Sequence, residues 1–94
     1  MSASLLSSSE VTQQLGSTPG WQIENGELTR TFTFADFRAA LAFVNHVGEL
    51  AEAANHHPDI DIRWNRVRLA LVTHSAGGLT KKDFDLAARI GSTV

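Results

Sequence analysis

The chain has 94 residues, room for one domain and not for two. A composition of 43% hydrophobic and 19% charged residues suits a folded core, and the absence of cysteine removes disulfides, thiolate metal sites and cysteine nucleophiles. Eight basic against ten acidic side chains leave a net charge of -2, the wrong sign for a domain that covers phosphates, so nucleic acid is not an expected partner.

From the amino terminus, residues 1–8 are rich in serine and without periodicity, a flexible tail in front of a single domain over residues 9–94. No basic stretch followed by an apolar run opens the chain, and no apolar stretch approaches the roughly 18 residues of a membrane span. The expectation is a cytoplasmic protein with no membrane partner. Ser9 is the expected N-cap of a short helix carrying Val11 and Leu15 on one face and stopped by Gly16, Pro19 and Gly20.

Trp21 and Ile23 alternate toward Asn25-Gly26, a two-residue hairpin signal, and Leu28, Phe32 and Phe34 continue beyond it. This register sets Ile23 opposite Leu28 and Glu24 opposite Glu27. Over residues 36 to 55, Phe37, Ala40, Leu41, Val44, Val47, Gly48, Ala51 and Ala54 repeat at helical spacing, with Asp36 as N-cap and Pro58 preventing continuation.

Next, Ile62 and Trp64 are apolar at even positions, whereas Val67, Leu69 and Leu71 are apolar at odd ones. A two-residue turn at Asn65-Arg66 reconciles them, pairing Trp64 with Val67, Ile62 with Leu69 and Ile60 with Leu71 on one face. Gly77-Gly78 reads as a loop. Thr80, with Asp83 three residues on, predicts a capped helix over residues 81 to 90, Leu79 stapling against Phe84. The order α-β-β-α-β-β-α predicts an α+β two-layer sandwich, three helices on one face of a four-stranded antiparallel sheet. A chain this short buries only roughly 60 to 65% of its unfolded surface, which favours homo-oligomerisation.

Three of the four histidines fall at element ends: His56 and His57 where the long helix stops, His74 where the last strand stops. Histidine moves protons in both directions near neutrality, so an acid/base site is one reading. Glu52 precedes His56 by one helical turn and is the expected carboxylate partner of its ring, and Asp83 offers a second carboxylate. The plainer reading is a helix C-terminus favoured by histidine, with Glu52 merely solvated.

A zinc site built on the same histidines has weaker grounds, because adjacent histidines diverge and no HExxH spacing is present. His46 reads as an exposed helix residue or subunit contact. Arg63 and Arg68 are expected to face each other beside Arg66, marking either an anion partner or a solvated face with Asp59 and Asp61. Trp21 and Trp64 are expected on apolar faces, in the core or an interface.

Taken together, Glu52, three residues, His56-His57-Pro58, five residues, Trp64, nine residues, His74, eight residues and Asp83 resemble the motif of the pterin-4a-carbinolamine dehydratases. Gly20-Trp21, residues 28–37, the Asn65 turn and Gly78-Leu79-Thr80 extend the resemblance over nearly the whole chain. It implies a lyase, a hydro-lyase that dehydrates 4a-hydroxytetrahydrobiopterin to quinonoid dihydrobiopterin in tetrahydrobiopterin recycling, with no metal or organic cofactor. A non-catalytic pterin-binding or protein-binding dimerisation module is the alternative on the same fold.

Loss of hydroxyl from C4a needs an acid at the leaving oxygen and a base on the ring-nitrogen side, tasks suited to His56 and His74 in either order. The resemblance makes His57 a positioning histidine, Glu52 the orienting partner of His56, and Asp83 a supporting group near His74, with Trp21 further behind. Pro58, Thr73 and Ser75 join His56, His57 and His74 as expected contacts to the pterin. The implied assembly is a homodimer or a dimer of dimers.

Overall fold

The structure, a computed structural model, describes residues 4–94. Helix α1 is Ser8–Leu15, followed by strands β1 (Gln22–Glu24) and β2 (Glu27–Thr33), helix α2 (Phe37–Ala54), strands β3 (Asp59–Arg63) and β4 (Arg66–Leu71), a 3-10 turn at His74–Ala76, and helix α3 (Lys81–Gly91). The strands form one antiparallel sheet in the order β1-β2-β4-β3, so β2 and β4 are central. This is the α+β order expected from the sequence. No helix among the described residues is long and apolar enough to cross a membrane.

The serine-rich start is partly built into the fold, although its residues 1–3 lie outside the described residues. The N-cap of α1 is Ser7, not Ser9. Ser7 N–H donates to Glu10 Oε1 at 2.7 Å and Glu10 N–H donates to Ser7 Oγ at 3.2 Å, a reciprocal capping box open only to the serine three residues before a glutamate. Those bonds hold the Glu10 carboxyl below its ordinary range. Leu6 N–H also donates to Leu79 O at 2.9 Å, fastening the segment to the loop before α3.

The first hairpin turns at Asn25 (φ 51°) and Gly26 (φ 78°), both left-handed as a type I′ turn requires, and pairs Ile23 with Leu28 and Glu24 with Glu27. The second hairpin departs from expectation. Its turn is Trp64-Asn65, Arg63 pairs with Arg66, Asp61 with Arg68, Ile62 with Val67 and Ile60 with Leu69. The cause is the central strand. Phe34 N–H donates to Asn65 O at 2.8 Å and Asn65 Nδ2 donates to Phe34 O at 2.9 Å, so Asn65 already belongs to the β2–β4 ladder and the turn falls one residue earlier. Pairing then shifts by two residues, which leaves every side chain on its expected face. Trp64 alone is displaced, from the apolar face to the turn, where it is 67% exposed with φ 52°.

The core lies between the inner sheet face and the helices. Leu28 and Phe32 of β2 meet Val67, Leu69 and Leu71 of β4, and α2 and α3 cover them with Ala40, Phe43, Val47, Ala51, Phe84, Leu86, Ala87 and Ile90. Trp21 packs edge-on against Phe32 at 6.0 Å between ring centroids. In α2 the buried stripe includes Phe43, whose ring lies 4.7 Å from Phe32 and 4.9 Å from Phe34. This aromatic contact fixes the helix rotation and leaves Phe37 and Leu41, expected to face the core, 45% and 42% exposed.

Two helix ends position the residues of interest. Asn55 ends α2 in the left-handed region (φ 50°, ψ 44°), with Asn55 N–H donating to Glu52 O at 3.2 Å and His56 N–H to Ala51 O at 3.1 Å, a Schellman closure. Thr80 caps α3 as expected, Thr80 N–H donating to Asp83 Oδ2 at 2.9 Å, and Leu79 and Phe84 are both buried.

Candidate active site

One cavity of about 300 Å³ is lined by Asn55, His56, His57, Val72, Thr73, His74, Ser75 and Lys82. That is near the lower end of the usual range for small-molecule pockets, about 300–1,000 Å³. The end of α2, the segment after β4 and the first turn of α3 each supply one wall, so the histidines at the two element ends meet across a single opening.

Asn55 determines how the His-His pair enters the cavity. Its left-handed cap turns the chain out of the helix, so His56 no longer stands one helical turn above Glu52. The expected Glu52–His56 pair is therefore absent, and Glu52 Oε2 accepts instead from His57 Nε2, in a contact exposed on both sides. Solvent screens such a pair, so its role is to restrain the ring.

His56, 11% exposed in its side chain, reaches the fully buried Asp83, with Nε2 at 2.5 Å from Oδ1. This also departs from expectation, which placed Asp83 beside His74. The other oxygen of Asp83 is fully engaged: Oδ2 accepts from Thr73 Oγ1 at 2.8 Å and from Thr80 N–H at 2.9 Å. Since the Thr73 hydroxyl hydrogen is spent on Asp83, the 2.8 Å contact between Thr73 Oγ1 and Thr80 Oγ1 is donated by Thr80. No buried side-chain nitrogen or oxygen among the described residues is left without a partner.

A carboxylate oxygen at this position accepts from the Nε2–H tautomer of the His56 ring, the arrangement that leaves Nδ1 without a partner among the described residues. His74 opens the 3-10 turn, is exposed, and makes no side-chain hydrogen bond among the described residues. The two rings thus differ in kind, one anchored by a buried carboxylate and the other free.

Of the residues the sequence singled out, His56, His57, Thr73, His74 and Ser75 line the cavity. Glu52 and Asp83 stand behind His57 and His56. Pro58 is half-buried and leads into β3 without lining the cavity. Trp21 is elsewhere, buried beside Phe32 and lining a different cleft. His46 is exposed on α2, and Arg63, Arg66 and Arg68 lie on the outer sheet face. Among the described residues no three ligating side chains converge as a metal site would require.

Sequence reasoning missed Asn55 and Lys82. An asparagine directly after the last apolar helical residue was a readable signal for a left-handed cap. Lys82 had none, because only the distance between α3 and the end of α2 puts it in reach.

The family model described as pterin 4 alpha carbinolamine dehydratase matches residues 4–93. A relative from Chloroflexus aurantiacus, named "Putative pterin-4-alpha-carbinolamine dehydratase", is 66% identical over 85 residues, covering 90% of this chain and 91% of the relative. A protein of the same name from Roseiflexus castenholzii is 53% identical over 92 residues, covering 98% and 99%. Among solved structures, the transcriptional coactivator/pterin dehydratase from Brucella melitensis is similar with a TM-score of 0.88 at 35% identity, covering 93% of this chain and 95% of its own. A pterin dehydratase-like protein identified as a RuBisCO assembly factor in the alpha-carboxysome shares the fold, with a TM-score of 0.62 at 23% identity over 77% and 83% of the two chains.

Proposed function

The chain belongs to the pterin 4 alpha carbinolamine dehydratase family, and from that premise we propose that it converts 4a-hydroxytetrahydrobiopterin to quinonoid dihydrobiopterin and water. The observation that carries this reading is the meeting of His56, held by the buried Asp83, with the free His74 across one cavity. The setting it implies is tetrahydrobiopterin recycling in the cytoplasm.

The chemistry balances on two proton transfers. A base takes the proton from N5, the N5 lone pair forms the C4a=N5 double bond, and the C4a–O bond breaks as an acid protonates the departing hydroxyl. His56 suits the base, since its Nδ1 is the free acceptor and Asp83 stabilises the imidazolium that results. His74, unrestrained and open to solvent, suits the acid and recovers its proton from water. His57, restrained by Glu52, positions the ring together with Thr73, Ser75 and Lys82. No metal or organic cofactor enters the scheme.

The test is the rate of carbinolamine dehydration followed by absorbance in the presence of chelator. Wild type accelerates the step, and His56→Ala and His74→Ala each lose on the order of 10²-fold or more of that acceleration. Folded wild type that binds the pterin but adds nothing to the buffer rate would overturn the enzyme reading in favour of a binding module. The pairing of coactivator with dehydratase in the name of the Brucella melitensis relative is what keeps that second reading in view.

A further inference from the structure

At the opposite end of α3 from Asp83, about 12 Å along the helix at 1.5 Å per residue, lies a second cleft of about 460 Å³. It is open between the Thr18–Trp21 approach to β1 and the last turn of α3. Three of its features have no part in the site described above.

The first is Arg30. It lies between Leu28 and Phe32 on β2 and shares their inward face, because strand side chains alternate. Arg30 is half-buried, its guanidinium at the open edge of the cleft, and none of the ion pairs among the described residues involves it. Its guanidinium instead lies 4.4 Å over the Phe32 ring and donates from Nη1 to Pro19 O at 3.3 Å, which fixes its position and leaves its charge unmatched.

The second is Trp21. Its Nε1–H donates to no group among the described residues and is not sealed from solvent. The third is the pair of glycines that give these donors room. Gly20 takes φ 90°, and a Cβ there would stand 2.8 Å from Arg30 Cζ, so a side chain at this position would displace the guanidinium. A Cβ at Gly91 would stand 3.5 Å from Arg30 Nη1 and 3.8 Å from Trp21 Nε1. One point in space therefore lies within 3.8 Å of both donor nitrogens, and residue 91 has no side chain to fill it. Gly91 is the last residue of α3, and packing does not require glycine there, because the nearest contacts of an added Cβ would be ordinary van der Waals ones.

We propose that this cleft is a binding site for a small organic carboxylate, its oxygens held by Arg30 and the indole N–H of Trp21, its apolar body on Ala87, Ala88 and Pro19. One guanidinium and one neutral donor match the single charge of a carboxylate, whereas a phosphate dianion would need more positive charge. The inference does not depend on the dehydratase reading, since none of these residues touches the histidine cavity.

The experiment follows the Trp21 indole N–H resonance, assigned with Trp64→Phe, while phenylacetate is added at constant ionic strength. We expect a saturable shift with a Kd on the order of 1 mM, as befits a ligand this small. Neutral phenylacetamide binds at least about tenfold more weakly. Gly91→Ala fills the shared point: it loses phenylacetate binding by at least about tenfold while thermal stability is unchanged or raised and carbinolamine dehydration is unaffected. Arg30→Gln loses binding likewise, and should that variant fail to fold, the amide contrast and Gly91→Ala still decide. An absent or unsaturable shift, equal binding of the amide, tighter binding of inorganic phosphate, or undiminished binding by Gly91→Ala would each overturn the proposal.

Discussion

Asp83 binds three groups with two oxygens, and each has a different consequence. Asp83→Asn can still accept from Thr73 and from Thr80 N–H with its amide oxygen, but its amide nitrogen then faces His56 and donates, reversing that bond. We expect kcat to fall about 10²-fold or more because the opposite tautomer of His56 is imposed, while stability falls by only about 1 kcal/mol because the buried contacts persist. Turnover and urea denaturation of the same preparation check both. Glu52→Gln is the contrasting case. Its exposed bond to His57 is worth less than about 1 kcal/mol, so stability stays near wild type and the loss shows mainly as a raised KM. The titratable residues of the site were legible because they fall at the ends of strongly patterned elements. Which carboxylate serves which histidine was not, since the i, i+4 rule holds only inside a helix and His56 lies just past its end.

The left-handed cap of α2 is one device at the element scale. Asn55→Gly should leave stability within about 0.5 kcal/mol of wild type, whereas Asn55→Val should cost about 1–2 kcal/mol because a β-branched side chain resists φ 50°. A sharper sign of the cap is that the valine variant disturbs the ring resonances of His56, its neighbour, more than those of His74. The first hairpin was readable residue by residue because Asn-Gly fixes turn type and register together. The second was readable only in its faces. Periodicity decides which side chains point inward, but the position of the turn depended on Asn65 joining β2, a contact with no trace in the local pattern. For the same reason the inner stripe of α2 was found without Phe43, whose place follows from Phe32 and Phe34 across the layer.

For the molecule as a whole, the exposed apolar residues Phe37, Leu41 and Trp64 line one cavity of about 510 Å³ at the turn end of the sheet. Trp64 holds φ 52° as a bulky residue exposed to solvent, a backbone conformation that glycine adopts without strain. We expect Trp64→Gly to melt no lower than wild type, read by thermal denaturation at equal protein concentration. The outer sheet face gives a pH dependence. The Glu24 carboxyl is held below its ordinary range by the bond from Arg68, then by the Thr29 hydroxyl. A group lowered in the folded state stabilises above its unfolded value, and that share disappears as pH falls below about 4.5. Glu24→Gln should therefore flatten the acid limb of the stability profile. Finally, the carboxylate that closes the first turn of α3 is also the one that orients an imidazole, so that turn cannot fray without dismantling the site. Amide hydrogens of Thr80 to Asp83 should then exchange more slowly when a ligand fills the cavity, and heating should silence the protein at the opening of this one turn, below the temperature at which the sheet gives way.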